Sequence, residues 1–176
     1  MDAGTSWRPL FAHRRMWPKW LAAGLLVLAA ALLASPPDLI WAFAGAAAFT
    51  VGEYLLHRFL LHGPLHGLHD RHHATPRRLD VLFLPASTVA ALPLLFAVGW
   101  PLAGPGPTAT ALLGLMAALL LYELVHFIAH RPAPAGGGGR LANWWRVHHL
   151  RHHGQGGRYA VLLPSLDGWF RSTGRP

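Results

Sequence analysis

The sequence predicts an all-α integral membrane protein with four transmembrane helices and a cytoplasmic, histidine-lined helical cap. Of the 176 residues, 53% are hydrophobic and only 12% are charged, which is about half the charged fraction of an average soluble domain. Four apolar segments suit a hydrocarbon core of about 30 Å. Basic residues are confined to one set of connections. We therefore expect the whole chain, residues 1–176, to form a single membrane domain.

Composition excludes several classes of protein and site. The absence of cysteine excludes a disulfide scaffold, a cysteine-ligated zinc site, an iron–sulfur cluster and a cysteine nucleophile. A soluble bundle of four short helices would need polar faces, which these apolar segments lack. The formal net charge is +8. In so apolar a chain we expect that charge to face anionic lipid and not nucleic acid.

The first two helices follow from apolar runs on either side of a turn. The predicted helix 20–34 carries no charge, and the Trp-Pro-Lys sequence before it is typical of an interfacial anchor. Because this segment begins deep in the chain and lacks a clean cleavage site, we expect it to remain as a helix and not to act as a signal peptide. Residues 35–38 predict a tight turn. The second predicted helix, 39–56, is apolar except for Glu53.

The last two helices lie on either side of a turn rich in proline and glycine. The predicted helix 81–100 contains two prolines, which membrane helices tolerate when neighbours satisfy the freed carbonyl groups. Residues 101–107, with the sequence PLAGPGP, predict the next turn. The fourth predicted helix, 108–128, is apolar until its last turns.

The distribution of basic residues predicts the orientation. The turns 35–38 and 101–107 contain neither lysine nor arginine, whereas the arm 1–19 and the segments 57–80 and 129–176 contain all 15. By the positive-inside rule, both termini and the 57–80 segment are cytoplasmic. Every histidine then belongs to the same side of the membrane. We predict that 57–80 and 129–176 form the cytoplasmic cap.

Histidine is concentrated in two stretches that repeat one plan. Residues 57–73 and 126–153 hold 12 of the 13 histidines. Each stretch follows a helical glutamate, Glu53 or Glu123, begins with a histidine pair (HRFLLH, HFIAH) and ends with an HxxHH box (HDRHH, HLRHH). The repeat predicts that both halves contribute to one centre. The ten histidines of the plan are His57, His62, His69, His72, His73, His126, His130, His149, His152 and His153.

The spacing of these histidines indicates shared helix faces. Residues three or four apart project from one side of an α-helix, as for His126 with His130 and for histidines within each box. His57 and His62 are five apart, so they converge only at a helix end, which Gly63-Pro64 supplies, or at a π-bulge. Neutral imidazole suits iron, zinc and copper. Ten imidazoles suit two ions with five ligands each, or fewer where water takes a position.

The remaining histidines and the two helical glutamates are interpreted separately. Three histidines lie outside the repeated plan, and we interpret them as interfacial polar groups. They are His13, His66 and His148. Glu53 and Glu123 each precede a histidine by three or four residues, so either could accept the N–H that orients a ligand imidazole. Pairing with a nearby arginine, such as Arg58 or Arg131, is an equal alternative.

These motifs resemble the fatty acid hydroxylase and sterol desaturase superfamily of membrane di-iron oxygenases. The resemblance spans roughly residues 50–173 and rests, in family order, on HRFLLH, HGLHDRHHATP, ELVHFIAH and VHHLRHH. The tail YAVLLPSLDGWFRST is similar to the ending of family members and keeps Asp167 with four other positions. It departs at five positions, including Ala160 and Ser172, in the part that shapes the substrate entrance.

The resemblance implies an oxidoreductase that uses two iron ions and O2 to hydroxylate a C–H bond of a bilayer lipid, in particular a fatty acyl chain. It carries the family's metal ligands over to the ten histidines of the plan. It adds Asp167 to Glu53 and Glu123 as candidates for orienting those ligands. Zinc could occupy the site in purified material, since it outcompetes ferrous iron for imidazole.

Electrons must come from a donor. Some relatives carry a fused b-type cytochrome domain, whose His-Pro-Gly-Gly signature is absent from this sequence. We therefore expect a separate ferredoxin, or a b-type cytochrome with its reductase, that docks on the basic cytoplasmic face.

Two other functions fit part of the pattern. A β-carotene hydroxylase is similarly short, four-spanning and histidine-rich, but the HATPRRLDVLFLP and PSLDGWF stretches resemble the fatty acid group more. A membrane metal-binding or metal-transport protein is the non-enzymatic alternative. Transport favours ligands along a pore near the midplane, whereas these histidines are predicted at one face.

Overall fold

The computed structural model describes residues 6–132 and 139–173, and every regular element in that part of the chain is helical. The predicted all-α class is therefore confirmed. Residues 1–5 of the predicted arm, and 133–138 and 174–176 of the predicted cap, lie outside the described residues. The α-helices are α1 Arg8–Ala12, α2 Trp17–Leu33, α3 Ile40–Leu55, α4 His66–Ala74, α5 Leu79–Leu82, α6 Leu92–Ala103, α7 Pro105–His130, α8 Arg140–Gln155 and α9 Ser165–Trp169. Two 3-10 helices, Pro36–Leu39 and Ala86–Ala91, and a π-helix, Leu56–Leu61, complete the order.

The chain divides into two compact units. The apolar unit consists of Phe11–Phe49 and Leu84–Leu120. The histidine unit consists of Met1–Leu10, Thr50–Phe83 and Leu121–Pro176, and it contains all ten histidines of the repeated plan.

The apolar unit packs through small residues and turns large ones outward. A Cβ added to Gly45 of α3 would overlap the carbonyl oxygen of Ala111, so α3 and α7 approach closely there. Close approach through glycine and alanine is typical of helix packing in membranes. Leu32, Phe43 and Leu102 are 74%, 78% and 81% exposed. Exposed apolar surface of this kind suits contact with lipid better than contact with water.

Two helical segments are long and apolar enough to cross a membrane. They are Leu79–Ala103, with 25 residues, which consists of α5, a 3-10 helix and α6, and Pro105–His130, with 26, which is α7. Helix α2 is apolar but shorter. Helix α3, which occupies most of the predicted 39–56, is also present. The prediction of four spans is thus supported by length and apolar composition for two of them.

The predicted helix 81–100 is interrupted. Helix α5 ends at Leu82, Phe83 and Pro85 are extended, and a 3-10 helix precedes α6. The reason is Pro85, which lacks an amide hydrogen and disfavours the helical conformation of the residue before it. The buried Lys19 donates from Nζ to the Leu84 carbonyl at 2.9 Å, which supplies a donor where the helix is broken.

The predicted turn 101–107 is far shorter in the structure. Helix α6 continues to Ala103, and α7 begins at Pro105. Gly104 alone separates them, with φ at 91°, a left-handed conformation that glycine adopts without steric cost. Proline is favoured in the first turn of a helix, where its missing N–H would have no intrahelical partner. The fourth helix is therefore longer than the predicted 108–128.

Candidate metal centre

Four helical elements of the histidine unit carry the ten histidines. The π-helix and its C-terminal end carry the first pair, α4 carries the first box, the end of α7 carries the second pair, and α8 carries the second box. The π-helix brings His57 and His62 together, since the His62 amide donates to the His57 carbonyl at 3.2 Å, five residues back. Their ring centroids lie 5.2 Å apart. This is the π-type geometry that the five-residue spacing predicts as one of two solutions.

The histidine side chains form two groups, each around a set of converging Nε2 atoms. In group A, the Nε2 of His69 lies 2.9 Å from those of His57 and His73. The Nε2 of His152 lies 3.1 Å from those of His62 and His73 and 3.5 Å from that of His69. Group A therefore consists of His57, His62, His69, His73 and His152.

Group B is arranged in the same way. The Nε2 atoms of His72 and His126 are 3.0 Å apart. The Nε2 of His149 lies 2.9 Å from that of His130 and 3.1 Å from that of His153. The rings of His73 and His153 stack at 4.1 Å, which joins the two groups. Group B consists of His72, His126, His130, His149 and His153.

Each histidine group contains one histidine from the other half of the sequence. Each half supplies four members of one group and the middle histidine of its box, His72 or His152, to the other. In an HxxHH box the first and last histidines are four apart and share a helix face, whereas the middle one lies about 100° around the helix from the last. A helix held between two groups can thus contribute to both.

The donor set fits metal binding. Two nitrogens bound to one ion at about 2.1 Å and at right angles are about 3 Å apart, close to the separations in both groups. The Nδ1 atoms of His57 and His152 donate to the carbonyls of Tyr159 and Gly157. In the neutral ring, the Nε2 atoms of these two histidines therefore carry lone pairs directed into group A. Four ligand atoms in each group all lie within 4.8 Å of one another, those of His57, His62, His69 and His152 in group A and those of His72, His126, His130 and His149 in group B.

The electrostatics keep these imidazoles neutral. Burial, followed by the proximity of other imidazoles, lowers the pKa of His69 to about 3 and that of His153 to about 2. Burial also lowers the pKa of His152, to about 4, although the hydrogen bond to Gly157 opposes it. The pKa of the fully buried His149 lies well below its ordinary value for the same first cause. Neutral imidazole is the form that binds a metal ion.

The three predicted carboxylates occupy different surroundings. Glu53 Oε1 lies 3.9 Å from His57 Nδ1, and the Val161 amide donates to both carboxylate oxygens at 3.2 and 3.3 Å. Glu123 is fully buried in α7, three residues before His126. Asp167 is fully buried at the start of α9. The alternative arginine partner of Glu53, Arg58, donates to the Tyr54 hydroxyl and to the Phe170 carbonyl.

Asp167 accepts four hydrogen bonds. The donors are the Tyr159 amide at 2.7 Å, the Ala160 amide at 3.0 Å, Ser172 Oγ at 2.7 Å and His148 Nε2 at 3.0 Å. Burial alone would raise the pKa of Asp167, but these hydrogen bonds outweigh burial and lower it. Asp167 is therefore ionised at neutral pH.

The three histidines outside the plan also lie outside both groups. His66 is exposed and bonds Asp70 at 2.9 Å, and His13 Nδ1 accepts from the Arg15 amide at 3.3 Å. His148 contacts Asp167, which sequence reasoning did not anticipate. The carbonyls of Gly157 and Tyr159 were missed as well, because every residue has a carbonyl and no side-chain pattern marks those two.

Comparison with known proteins gives one family. Residues 42–172 match the family described as fatty acid hydroxylase. The chain is 31% identical, over 127 residues, to a dihydroceramide fatty acyl 2-hydroxylase from Arabidopsis thaliana, an alignment that covers 65% of this chain and 51% of the relative. The chain thus spans about half the length of that curated relative. No solved structure matches the chain. With three quarters of its residues matched, the chain belongs to the fatty acid hydroxylase family.

Proposed function

We propose that this protein is an O2-dependent membrane oxygenase that hydroxylates a C–H bond of a lipid fatty acyl chain. The observation that carries the proposal is the pair of adjacent imidazole groups, in which Nε2 atoms converge at 2.9 to 3.5 Å in a chain of this family. Such a donor set suits two first-row transition metal ions.

The proposal assigns the ten histidines as ligands of two iron ions, five in each group. When bound, the iron ions would supply the transfer of one oxygen atom from O2 to carbon, while two electrons from a donor and two protons from solvent convert the other oxygen atom to water. The protein binds and orients: the Tyr159 and Gly157 carbonyls hold the rings of His57 and His152. Glu53 lies 3.9 Å from His57 Nδ1 and accepts from the Val161 amide, and we assign it a role in positioning the backbone after Tyr159 beside that ring.

The proposed substrate is a bilayer lipid with a long fatty acyl chain. The Arabidopsis relative is named for 2-hydroxylation of a fatty acyl chain of a dihydroceramide. We propose that this protein also hydroxylates a fatty acyl chain, and we do not assign the lipid head group. The exposed apolar residues of the apolar unit, such as Phe43, support a protein surrounded by lipid. A substrate dissolved in the bilayer could then approach without crossing water.

We further propose the four-span arrangement with the histidines and both termini in the cytoplasm. The support is the charge distribution, in which the segments between the first and second and between the third and fourth apolar runs carry no lysine or arginine. Helices α2 and α3 are short for a span, and tilt or local thinning of the bilayer would accommodate them at modest cost.

A separate acidic electron donor is proposed to dock on the basic face of the histidine unit. Each HxxHH box carries an exposed arginine between its histidines, Arg71 in α4 and Arg151 in α8. A donor bound to these arginines would lie on the helices that carry the ligands. We expect NaCl above about 0.3 M to slow reduction by an acidic ferredoxin, since salt screens exposed charges.

The experiment that tests the function is a reconstituted reaction. Protein expressed with iron is assayed for metal per chain and then incubated in membranes with reductant, 18O2 and a lipid extract, followed by mass spectrometry. We expect two iron ions per chain and an acyl product heavier by one 18O atom. His152→Ala should abolish the product, while His66→Ala, which changes an exposed histidine outside both groups, should retain it.

The other outcomes identify the alternatives. Zeaxanthin formed in a host that makes β-carotene, without acyl product, would assign the protein to carotenoid hydroxylation. Metal moving across proteoliposomes without any oxygenated product would assign it to transport and overturn the enzyme proposal.

A further inference from the structure

The segment between α8 and α9 has an unusual backbone. Gly156, Gly157 and Arg158 have φ values of 68°, 64° and 56°, so three consecutive residues are left-handed. Arginine adopts this conformation only where its surroundings impose it. The Arg158 amide donates to the Ser172 carbonyl at 2.8 Å. Glycine adopts a positive φ freely, so the surrounding contacts are needed to hold this conformation at Arg158.

Asp167 is the group that organises this segment. Its Oδ1 accepts from the Tyr159 amide and Ser172 Oγ, and its Oδ2 accepts from the Ala160 amide and His148 Nε2. The Ser172 amide also donates to the Asp167 carbonyl at 2.8 Å. Asp167 therefore connects α8, through His148, with residues 159 and 160 directly after the strained segment and with Ser172, whose carbonyl accepts from the Arg158 amide.

The same segment directs two carbonyls at histidines. The Tyr159 carbonyl accepts from His57 Nδ1, and the Gly157 carbonyl accepts from His152 Nδ1. Both histidines belong to group A. Three of the five histidines of group B lack such support among the described residues, since the buried Nδ1 atoms of His72, His126 and His149 have no hydrogen-bond partner there. The two backbone carbonyls of this segment therefore orient histidines of group A only.

We propose that Asp167 is a positioning residue for one metal position only, the one formed by group A. It acts through the 157–160 backbone, which fixes the tautomer and ring orientation of His57 and His152. This inference rests on the proposed function in that both groups bind metal. It deepens that function by making the two positions unequal, with group A supported by a hydrogen-bonded loop and group B by packing.

Asp167→Asn is the informative substitution, because it keeps the size of the side chain. An ionised carboxylate accepts on both oxygens, whereas the asparagine NH2 group is a donor. The Ser172 hydroxyl and the His148 ring can reverse their roles, but backbone amides cannot. Whichever way the asparagine is turned, one amide, of Tyr159 or of Ala160, therefore faces a donor and the segment shifts.

The experiment separates the two positions with a ligand variant in each group. Zn2+ affinity is measured by competition with a chromophoric chelator in His126→Ala, where only group A is intact, and in His69→Ala, where only group B is intact. Adding Asp167→Asn should weaken Zn2+ binding about 10- to 100-fold in the first background. In the second it should change the affinity by less than about twofold. Asp80→Asn, which removes an exposed carboxylate paired with Arg78, is the matched control and should change neither.

Equal weakening in both backgrounds would show a general structural role and overturn the proposal, as would no weakening in either. If Asp167→Asn fails to fold by circular dichroism, Ser172→Ala in the same two backgrounds decides. It removes one donor to the carboxylate and should weaken group A alone, by less than Asp167→Asn. Unchanged Zn2+ binding to group A in that variant would then overturn the proposal. Failure of the unsubstituted protein to bind any Zn2+ would instead contradict the proposed function.

Discussion

Neighbouring histidines in this protein belong to different groups. His72 lies in group B beside His126, while His73 lies in group A beside His69. The same exchange relates His152 and His153. Adjacent residues on an α-helix point about 100° apart, so a single box can serve two ions only where its helix lies between them. The role of each histidine is therefore set by its position in the box.

The exchange makes a prediction about the middle histidines. His72→Ala should remove the ion of group B, and His152→Ala that of group A, each lowering metal by about one ion per chain and hydroxylation by at least about 100-fold. Metal analysis of double variants checks the assignment. In a His126→Ala background, His72→Ala should cause no further loss of metal, whereas His152→Ala should remove the remaining ion. The reverse pattern would contradict the grouping.

The lowered pKa values predict how the metal-free protein responds to acid. His69 and His152 have pKa values of about 3 and 4 in the folded protein, against an ordinary 6.5. Between the folded and the ordinary pKa the unfolded chain binds more protons than the folded protein. The free energy of unfolding is therefore highest above pH 6.5 and decreases as the pH falls below that value. At pH 5, one such histidine lowers the free energy of unfolding by about 2 kcal/mol relative to its value above pH 6.5.

We therefore expect the melting temperature of the chelator-treated protein to fall steeply between about pH 7 and pH 5. His69→Gln, which cannot be protonated, should reduce that slope, and His66→Gln at the exposed site should not. A melting temperature independent of pH over this range would contradict the buried, neutral state of the group.

At the level of elements, the two histidine pairs each share one helix face, but they do so through different helix types. His126 and His130 are four apart on the α-helix α7, whereas His57 and His62 are five apart and need the π-helix Leu56–Leu61. A π-bulge is equivalent to one residue inserted into an α-helix. The first half of the repeat thus carries an extra residue that the helix absorbs without moving the second histidine off the shared face.

This equivalence predicts the effect of a deletion. Removing Phe59, which is 57% exposed in the π-helix, should convert the segment to α-helix and leave His57 and His62 four apart on one face. We expect metal content to be retained and the Zn2+ affinity of group A to change by less than about tenfold. Removing the buried Phe127, in contrast, should turn His130 about 100° around α7 relative to His126, away from its present partner His149, and lower the metal of group B. Loss of metal from group A in the Phe59 deletion would show that the π geometry itself is required.

At the level of the whole molecule, the arrangement in the bilayer can be tested directly. Because the chain has no cysteine, a single introduced cysteine is the only thiol available for labelling. Under the proposed four-span topology, Ser35→Cys should react with a membrane-impermeant maleimide added to intact cells. Arg77→Cys should react only after permeabilisation. Both positions are exposed, so labelling of both from the same side would contradict the four-span arrangement.

Much of this protein could be predicted from local sequence. Apolar runs predicted α2, α3 and α7, and the family resemblance agrees with the family assignment. Errors arose where backbone chemistry dominates over hydropathy. Pro85 breaks the third apolar segment, and a single left-handed Gly104 replaces a predicted seven-residue turn.

The sequence by itself determined the helical class, the apolar character of the chain and which ten histidines share a repeated plan, because periodicity and composition are local properties. Only the tertiary structure decided how those histidines divide into groups and what holds them. His57 meets the Tyr159 carbonyl across 102 residues, and His72 meets His126 across 54. Contacts over such distances depend on how helices pack, and a backbone carbonyl that orients an imidazole has no side chain by which a sequence could reveal it.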